Sequence, residues 1–301
     1  MTIQQCKYVL KIADVGSFNE AAKQLFVAQS SLSSSVKALE EELGIKIFER
    51  LANGVYLTRE GSEFIRYAQK IVHNNNFIVE RYSTEKNCPR LYISTQHYDF
   101  IADIFGKMLG ETQEDIYRFS LRETQTYKVI REIETGYSDI GVLAIKDKDY
   151  GVMRRYLDKR GLRFTSFLKA PPHVFVRKEH PIAKNEDLTY EDLKEYPYVS
   201  YEQGKNNISF FEEEMMPSVV NKHIEISDRA SLMNVLLSTD CYTIGTGLMP
   251  SALNNGSIVS IPIKSNEFYI IGYILHIDRT PSAQTLRFIE HLKKVQDLIS
   301  Q

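Results

Sequence analysis

No run of about 18 consecutive apolar residues occurs in the 301-residue chain, which argues against a membrane-spanning helix. The segment Met1–Lys7 lacks the apolar core and cleavage site of a secretory leader, so export is not expected. Cysteine is scarce. Cys6, Cys88 and Cys241 stand far apart, with no C-x-x-C and no histidine at ligand spacing, so no metal site is expected. Reduced thiols in a cytoplasmic protein are the expected state; a redox pair of Cys88 and Cys241 is the alternative. No repeat or low-complexity tract appears. The patterns G-x-S-x-G, H-E-x-x-H, the P-loop and G-x-G-x-x-G are all absent. Gly245-Thr246-Gly247 has the first two glycines of the last, but Leu-Met-Pro follows. Neither an enzyme nor a cofactor is therefore expected.

A large excess of one charge is also missing, with 37 Lys+Arg against 39 Asp+Glu and a net charge of −2. That sum argues against a uniformly basic nucleic-acid coat, yet it conceals an asymmetry. Residues 1–90 hold 12 Lys+Arg and 10 Asp+Glu, and the remainder holds 25 and 29. The two parts can have different tasks. The length suggests two or three domains, and a hydrophobic content of 43% is enough to build buried cores.

In the first part, Ile3, Cys6, Tyr8, Val9, Leu10, Ile12 and Ala13 recur at helical spacing up to Gly16. Ser17-Phe18-Asn19-Glu20 then reads as a capping box that opens a helix over Asn19 to Leu25. A third helix is predicted from Gln29 to Leu43, ended by Gly44, with Leu32, Val36, Leu39 and Leu43 as its buried stripe. Two short helices joined by a tight turn form a helix-turn-helix pattern; a plain helical bundle is the simpler alternative. Gln29, Ser30, Ser33 and Ser34 lie opposite the apolar stripe, where short polar groups approach base edges and phosphates. Lys37 extends that face. Asn53-Gly54 between Ile45–Arg50 and Val55–Leu57 is a hairpin signal, predicting a wing with Arg50 at its base.

These residues resemble the winged helix of LysR-type transcriptional regulators. The resemblance is carried by Ser17-Phe18, Ala21-Ala22, Leu25, Gln29, Leu32-Ser33, Leu39-Glu40, Leu43-Gly44, Phe48-Glu49-Arg50 and Leu57-Thr58-Arg59-Glu60-Gly61. It implies a DNA-binding set of Gln29, Ser30, Ser31, Ser33, Ser34, Lys37, Arg50 and Arg59. Three positions depart from the family pattern. Ala28 replaces the usual Ser or Thr before the recognition-helix Gln and forfeits a cap worth about 1 kcal/mol. Ser30 replaces a common Pro, and Ser34 occupies a commonly basic position.

Thr58 is expected to cap a helix over Arg59 to Arg81. Phe64, Ala68, Ile71, Asn75, Ile78 and Tyr82 alternate at spacings of four and three, a coiled-coil seam with Ala68, Asn75 and Tyr82 at a. One helix packed on its own domain is the alternative. With the resemblance, the seam implies a dimer or tetramer on an approximately palindromic double-stranded DNA site, with RNA polymerase as a further partner.

From Leu91 onward strands and helices alternate, which predicts α/β structure with a mostly parallel sheet. A second set begins near Val174, and crossovers fall near Phe167–Pro172 and Lys264–Phe268. This layout is similar to the family's effector domain. The predicted fold is α+β multidomain: a winged helix-turn-helix over 1–58, a linker helix over 59–87, and a bilobed α/β effector domain of periplasmic-binding-protein (type 2) fold over 88–301. Lobe I comprises 91–167 and 268–301, and lobe II comprises 168–267.

Such domains bind ligands at strand ends, where helix N-termini and loop amides meet. The expected effector-binding residues are Thr95, Gln96, His97, Tyr98, Thr124, Thr126, Tyr201, Glu202, Gly204 and Thr246. Helix capping or turn formation is the alternative for each, and a structural hydrogen bond for His97. Hydroxyls and amides suit a carboxylate-bearing metabolite, and Glu202 suits an ammonium group, which together point to an amino acid or a sulfur-metabolism precursor. Four strings resemble one Gram-positive branch of the family, associated with amino-acid (especially methionine) transport and cell-surface genes. They are Thr95–Tyr98, Leu121–Thr124, Ser227–Ala230 and Tyr242–Ile244. A solute-binding protein and a regulator acting through partner proteins alone are the competing readings.

Overall fold

The computed structural model describes residues 1–51, 54–82, 88–204, 209–217, 220–249 and 256–295, with backbone only for Arg50, Leu51 and residues 80–82. Two compact units make up the chain, Met1–Asn87 and Cys88–Gln301.

In the first unit, α1 (Ile3–Val15), α2 (Phe18–Gln24) and α3 (Gln29–Leu43) precede a hairpin of β1 (Phe48–Leu51) and β2 (Gly54–Leu57), then α4 (Arg59–Tyr82). The capping box lies at Thr2, not at Ser17: the Thr2 hydroxyl accepts from Gln5 N–H and the Gln5 side chain accepts from Thr2 N–H. At Ser17 only half forms. Its hydroxyl accepts from Glu20 N–H at 3.4 Å, while the Glu20 carboxylate accepts from Gln24 Nε2 at 3.0 Å. Leu32, Val36 and Leu39 are buried, but Leu43, at the end of its helix, is 38% exposed. Glu40 is buried instead. Its Oε1 accepts from the backbone N–H groups of Ile47 (2.7 Å) and Phe48 (3.2 Å), and Lys46 Nζ donates to Oε2. Burial alone would raise the Glu40 pKa; the two amides and Lys46 outweigh it and hold the carboxyl below the usual value.

The wing pairs Phe48 with Leu57 at its base and Leu51 with Gly54 at its tip, so Arg50, opposite Val55, lies one step from the turn rather than at the base. Gly54 is the first residue of β2, and Asn53 lies outside the described residues. Thr58 caps α4 by accepting from Gly61 N–H at 2.8 Å. A Cβ on Gly61 would stand 2.1 Å from the Ile47 carbonyl oxygen, so only glycine lets α4 start this close to the wing. Phe64 and Ile65 pack on the unit's core and Ala68 is fully buried, whereas Ile78 and Val79 are exposed. The first turns of the seam thus pack on their own domain, and Ile78 is exposed.

In the second unit, β3 (Arg90–Thr95), α5 (Asp99–Gly110), β4 (Arg118–Glu123), α6 (Thr126–Thr135), β5 (Ile140–Lys146), α7 (Tyr150–Asp158) and β6 (Leu162–Ala170) come first. The next elements are β7 (His173–Arg177), β8 (Tyr198–Tyr201), β9 (His223–Ile226), α8 (Arg229–Ser238), β10 (Thr243–Gly245) and β11 (Ile258–Pro262). The chain returns through β12 (Tyr269–His276) and α9 (Ala283–Lys293). One five-stranded sheet runs β4-β3-β5-β12-β6. It is mixed rather than mostly parallel: β3 is parallel to β4 and β5, while β12 is antiparallel to β5 and β6. The second lobe holds the antiparallel sheet β10-β7-β11 and the parallel pair β8-β9. Pro171-Pro172 makes the outgoing crossover and residues 263–268 the return.

Two stability changes follow. Ala28 is the N-cap of α3, with extended backbone and no side-chain cap bond. Ala28→Ser is expected to stabilise the chain by about 1 kcal/mol in chemical denaturation, by giving an orphan N–H of the first turn an acceptor. Gly61→Ala, ordinarily favourable inside a helix, is expected to destabilise by about 1–3 kcal/mol in the same measurement, because the methyl group collides with the Ile47 carbonyl.

Candidate DNA-reading face and inter-lobe cleft

Burial of Leu32, Val36 and Leu39 turns the opposite face of α3 outward. Gln29, Ser30, Ser31, Ser34 and Lys37 are exposed, as is Arg59 at the start of α4; Ser33 is half-buried. Ser34 Oγ donates to the Ser31 carbonyl at 3.1 Å, and Lys37 Nζ lies 3.6 Å from Glu41 Oε1 in an exposed pair. Exposed pairs of this kind are weak enough to be exchanged for a phosphate. Gln5 Nε2 donates to the Ser35 carbonyl at 3.2 Å and ties α1 to the back of α3. Phe26, in the turn between α2 and α3, has φ 54° and is 96% exposed.

In the second unit the expected effector residues divide into two groups. Thr95, Gln96 and Thr126 are buried within the first lobe. Gln96 Nε2 donates to Thr126 Oγ1 at 2.6 Å and Gln96 Oε1 accepts from Ala144 N–H at 2.7 Å, so both side chains join β3, α6 and β5. Thr124 N–H donates to the Thr95 carbonyl at 2.8 Å. Glu202 is exposed, and it is its carbonyl that accepts from Gln125 Nε2, at 2.9 Å; Gly204 lies against the same Gln125 side chain. By contrast His97, Tyr98, Tyr201 and Thr246 line one cavity of about 60 Å³ between the lobes.

Sequence reasoning missed the acidic side chains that complete this cleft. Glu213 and Glu214 follow the 3-10 turn Ser209–Phe211 and are almost fully buried. Glu213 accepts from His97 N–H at 3.2 Å and from His97 Nδ1 at 3.0 Å, and the imidazole stacks on Tyr201 with ring centroids 4.1 Å apart. Burial disfavours the charged imidazole, but the Glu213 carboxylate outweighs it and raises the His97 pKa. Glu214 accepts from Tyr201 N–H at 2.9 Å. Burial, reinforced by Glu213, pushes its pKa up to about 8. Arg229, the first residue of α8, bonds Asp99 at the start of α5 and lies 3.0 Å from Glu123 at the end of β4. Phe211 packs in the first lobe's core with Val129, Ile133 and Leu157, and Lys146 Nζ donates to the Ser209 carbonyl at 2.9 Å. The segment 209–217 therefore straps one lobe to the other. A run of three acids, Glu212-Glu213-Glu214, in a loop carries no periodic signal, which is why only the fold reveals which of them are buried in the cleft.

Two family profiles match the chain. One, described as bacterial regulatory helix-turn-helix protein, lysR family, covers residues 3–62; the other, the LysR substrate binding domain, covers residues 117–297. The chain belongs to the LysR family of transcriptional regulators. A probable nitrogen assimilation transcriptional activator of Synechocystis is 24% identical over 284 residues, 91% of this chain and 84% of that one. The transcriptional activator CmpR of the same organism is 23% identical over 241 residues, 77% of this chain and 74% of its own length. Among solved structures, full-length CbnR in complex with its target DNA superposes with a TM-score of 0.63 at 17% identity, covering 98% of this chain and 99% of that chain. That likeness shows the shared fold: a winged helix-turn-helix and a two-lobed effector domain. Among the described residues, no helix is long and apolar enough to cross a membrane, and no cluster of His, Cys, Asp and Glu could hold a metal.

The His97–Glu213 contact has a pH signature. With its folded pKa raised, His97 contributes stability that is fully present below the unfolded histidine value of about 6.5 and is lost as pH rises through the folded value. Replacing Glu213 with Gln is expected to lower the His97 pKa in an NMR titration of the imidazole resonances. An unchanged His97 titration would show that the carboxylate does not govern it.

Proposed function

We propose that this LysR-family regulator reads double-stranded DNA with the outer face of α3 and is controlled by a small metabolite held between the lobes of its second unit. The exposed polar face of α3, opposite a fully buried apolar stripe, carries this reading. Gln29, Ser30, Ser31, Ser33 and Ser34 stand where a helix in the major groove meets base edges and phosphates, and Lys37, Arg50 and Arg59 supply positive charge for the backbone. The domain organisation taken for this function is a DNA-binding module over 1–58, a dimerising helix over 59–87 and an effector domain over 88–301.

Exposed Ile78 and Val79 support self-association through α4, as a dimer or tetramer on an approximately palindromic site. The cleft, with His97, Tyr98, Tyr201 and Thr246 at its wall, supports effector binding, and an amino acid or sulfur-metabolism precursor is the proposed class. The strings that resemble the Gram-positive branch supply His97, Glu123 and Arg229 to one ionic cluster, which favours a shared ligand site with that branch. RNA polymerase is the proposed downstream partner and the cytoplasm the proposed compartment. A ligand controls such a protein only through different affinities for two assemblies, here two placements of the paired wings.

Labelled promoter DNA titrated at several salt concentrations is expected to bind with an affinity that falls steeply with salt, as phosphate neutralisation requires. Salt-insensitive binding would defeat the winged-helix reading. Arg50→Ala is expected to weaken binding to all sequences alike, and an effect confined to one base position would show that Arg50 reads a base instead.

A further inference from the structure

The cavity between the lobes is lined both by apolar side chains, Leu232, Leu236, Leu248 and Met249, and by polar ones that include Glu214 and Tyr98. Among the described residues the Glu214 carboxylate accepts from the backbone N–H groups of Tyr201 and of Glu214 itself, and it has no ion pair. The nearby charges are already matched: Glu213 is engaged by His97, and Asp99 and Glu123 by Arg229. Tyr98 is 8% exposed, and its hydroxyl has no hydrogen-bond partner among the described residues. A buried carboxyl without an ion-pair partner near an unpartnered phenol is costly, and a ligand that donates hydrogen bonds and carries positive charge relieves both.

We infer that the effector presents a primary ammonium group to this cavity, donating to the Glu214 carboxylate and the Tyr98 oxygen, with its aliphatic part against Leu232, Leu236 and Met249. This rests on the reading of the cleft as the effector site. It makes the ammonium group, rather than a carboxylate, the feature the cleft selects, and it moves recognition from exposed Glu202 to buried Glu214.

The groups facing Glu214 are Glu213 on its own segment, Lys146 of β5, Tyr98 before α5, Tyr198 and Tyr201 of β8, and Tyr269 of β12. Burial and Glu213 favour the protonated Glu214 near neutral pH; Lys146 opposes them. Binding a cation therefore expels a proton, and affinity increases as pH rises towards the raised value.

Three probes with one branched tail separate the possibilities: isobutylamine, isobutanol and isovalerate, each titrated calorimetrically into the full chain without DNA. Isobutylamine is expected to bind, isobutanol at least about ten-fold more weakly, and isovalerate not at all. Amine affinity is expected to rise at least about ten-fold from about pH 6 to about pH 8. Glu214→Gln, which keeps the shape and the acceptor for Tyr201 N–H, is expected to remove both the amine preference and its pH dependence while the melting temperature shows a folded protein. Tyr98→Phe is a second variant and is expected to weaken the amine several-fold. Equal binding of amine and alcohol, tighter binding of isovalerate, or no amine binding at tens of millimolar would each overturn the inference. None of these outcomes bears on promoter binding, which tests the regulator reading separately.

Discussion

The second unit depends on the pairing of β12 between β5 and β6. This strand arrives last of the sheet's members, yet it lies in its interior, with Tyr269 to Ile274 all buried. It pairs antiparallel on both sides, and the register on the β6 side shifts at Ile271/Gly272. Gly272 is needed there because a Cβ would stand 2.5 Å from the Thr165 carbonyl oxygen and 2.4 Å from the Phe164 ring. The first lobe cannot close until the chain has completed the second lobe and returned. That return brings both crossovers side by side and so creates the cleft. It also places Tyr269, whose hydroxyl accepts from Met215 N–H at 2.8 Å, beneath the acidic strap.

The strap shows how such a closure is converted into chemistry. Phe211 anchors it by apolar burial in the first lobe. Each carboxylate is then treated differently. Glu213 is paired with a histidine; Glu214 accepts from backbone amides only and is pushed towards neutrality by burial and by Glu213. Glu40 in the first unit is the contrasting case, since two backbone amides and a lysine stabilise its charge and make it a brace between α3 and the wing. Identical side chains thus keep their charge, as Glu40 does, or are driven towards neutrality, as Glu214 is, according to burial and what donates to them.

Much of the first unit was legible because its signals are local. The period of α3 fell on the bounds Gln29–Leu43, and Thr58 capped the helix expected of it. Where reading failed, a competing local bond had won: Glu20 preferred Gln24 to closing a box at Ser17, and Thr2 with Gln5 formed the box that went unnoticed. Gln96 and Thr126 were rightly placed near the strand ends, but they bond to each other and to β5 rather than line the cavity.

Sequence by itself determined the family, the helix-turn-helix with its wing, the long helix and the two-lobed alternation, because capping, periodicity and turn chemistry act within a few residues. Tertiary structure alone decided which polar side chains share the cleft. His97, Glu213 and Arg229 are separated by more than a hundred residues of chain at their widest. Their meeting depends on two crossovers and on the apolar anchoring of a strap whose own sequence carries no period. The charge asymmetry between the two parts of the chain also took its meaning there: the excess acid of the second part includes a buried pair placed at the cavity between the lobes.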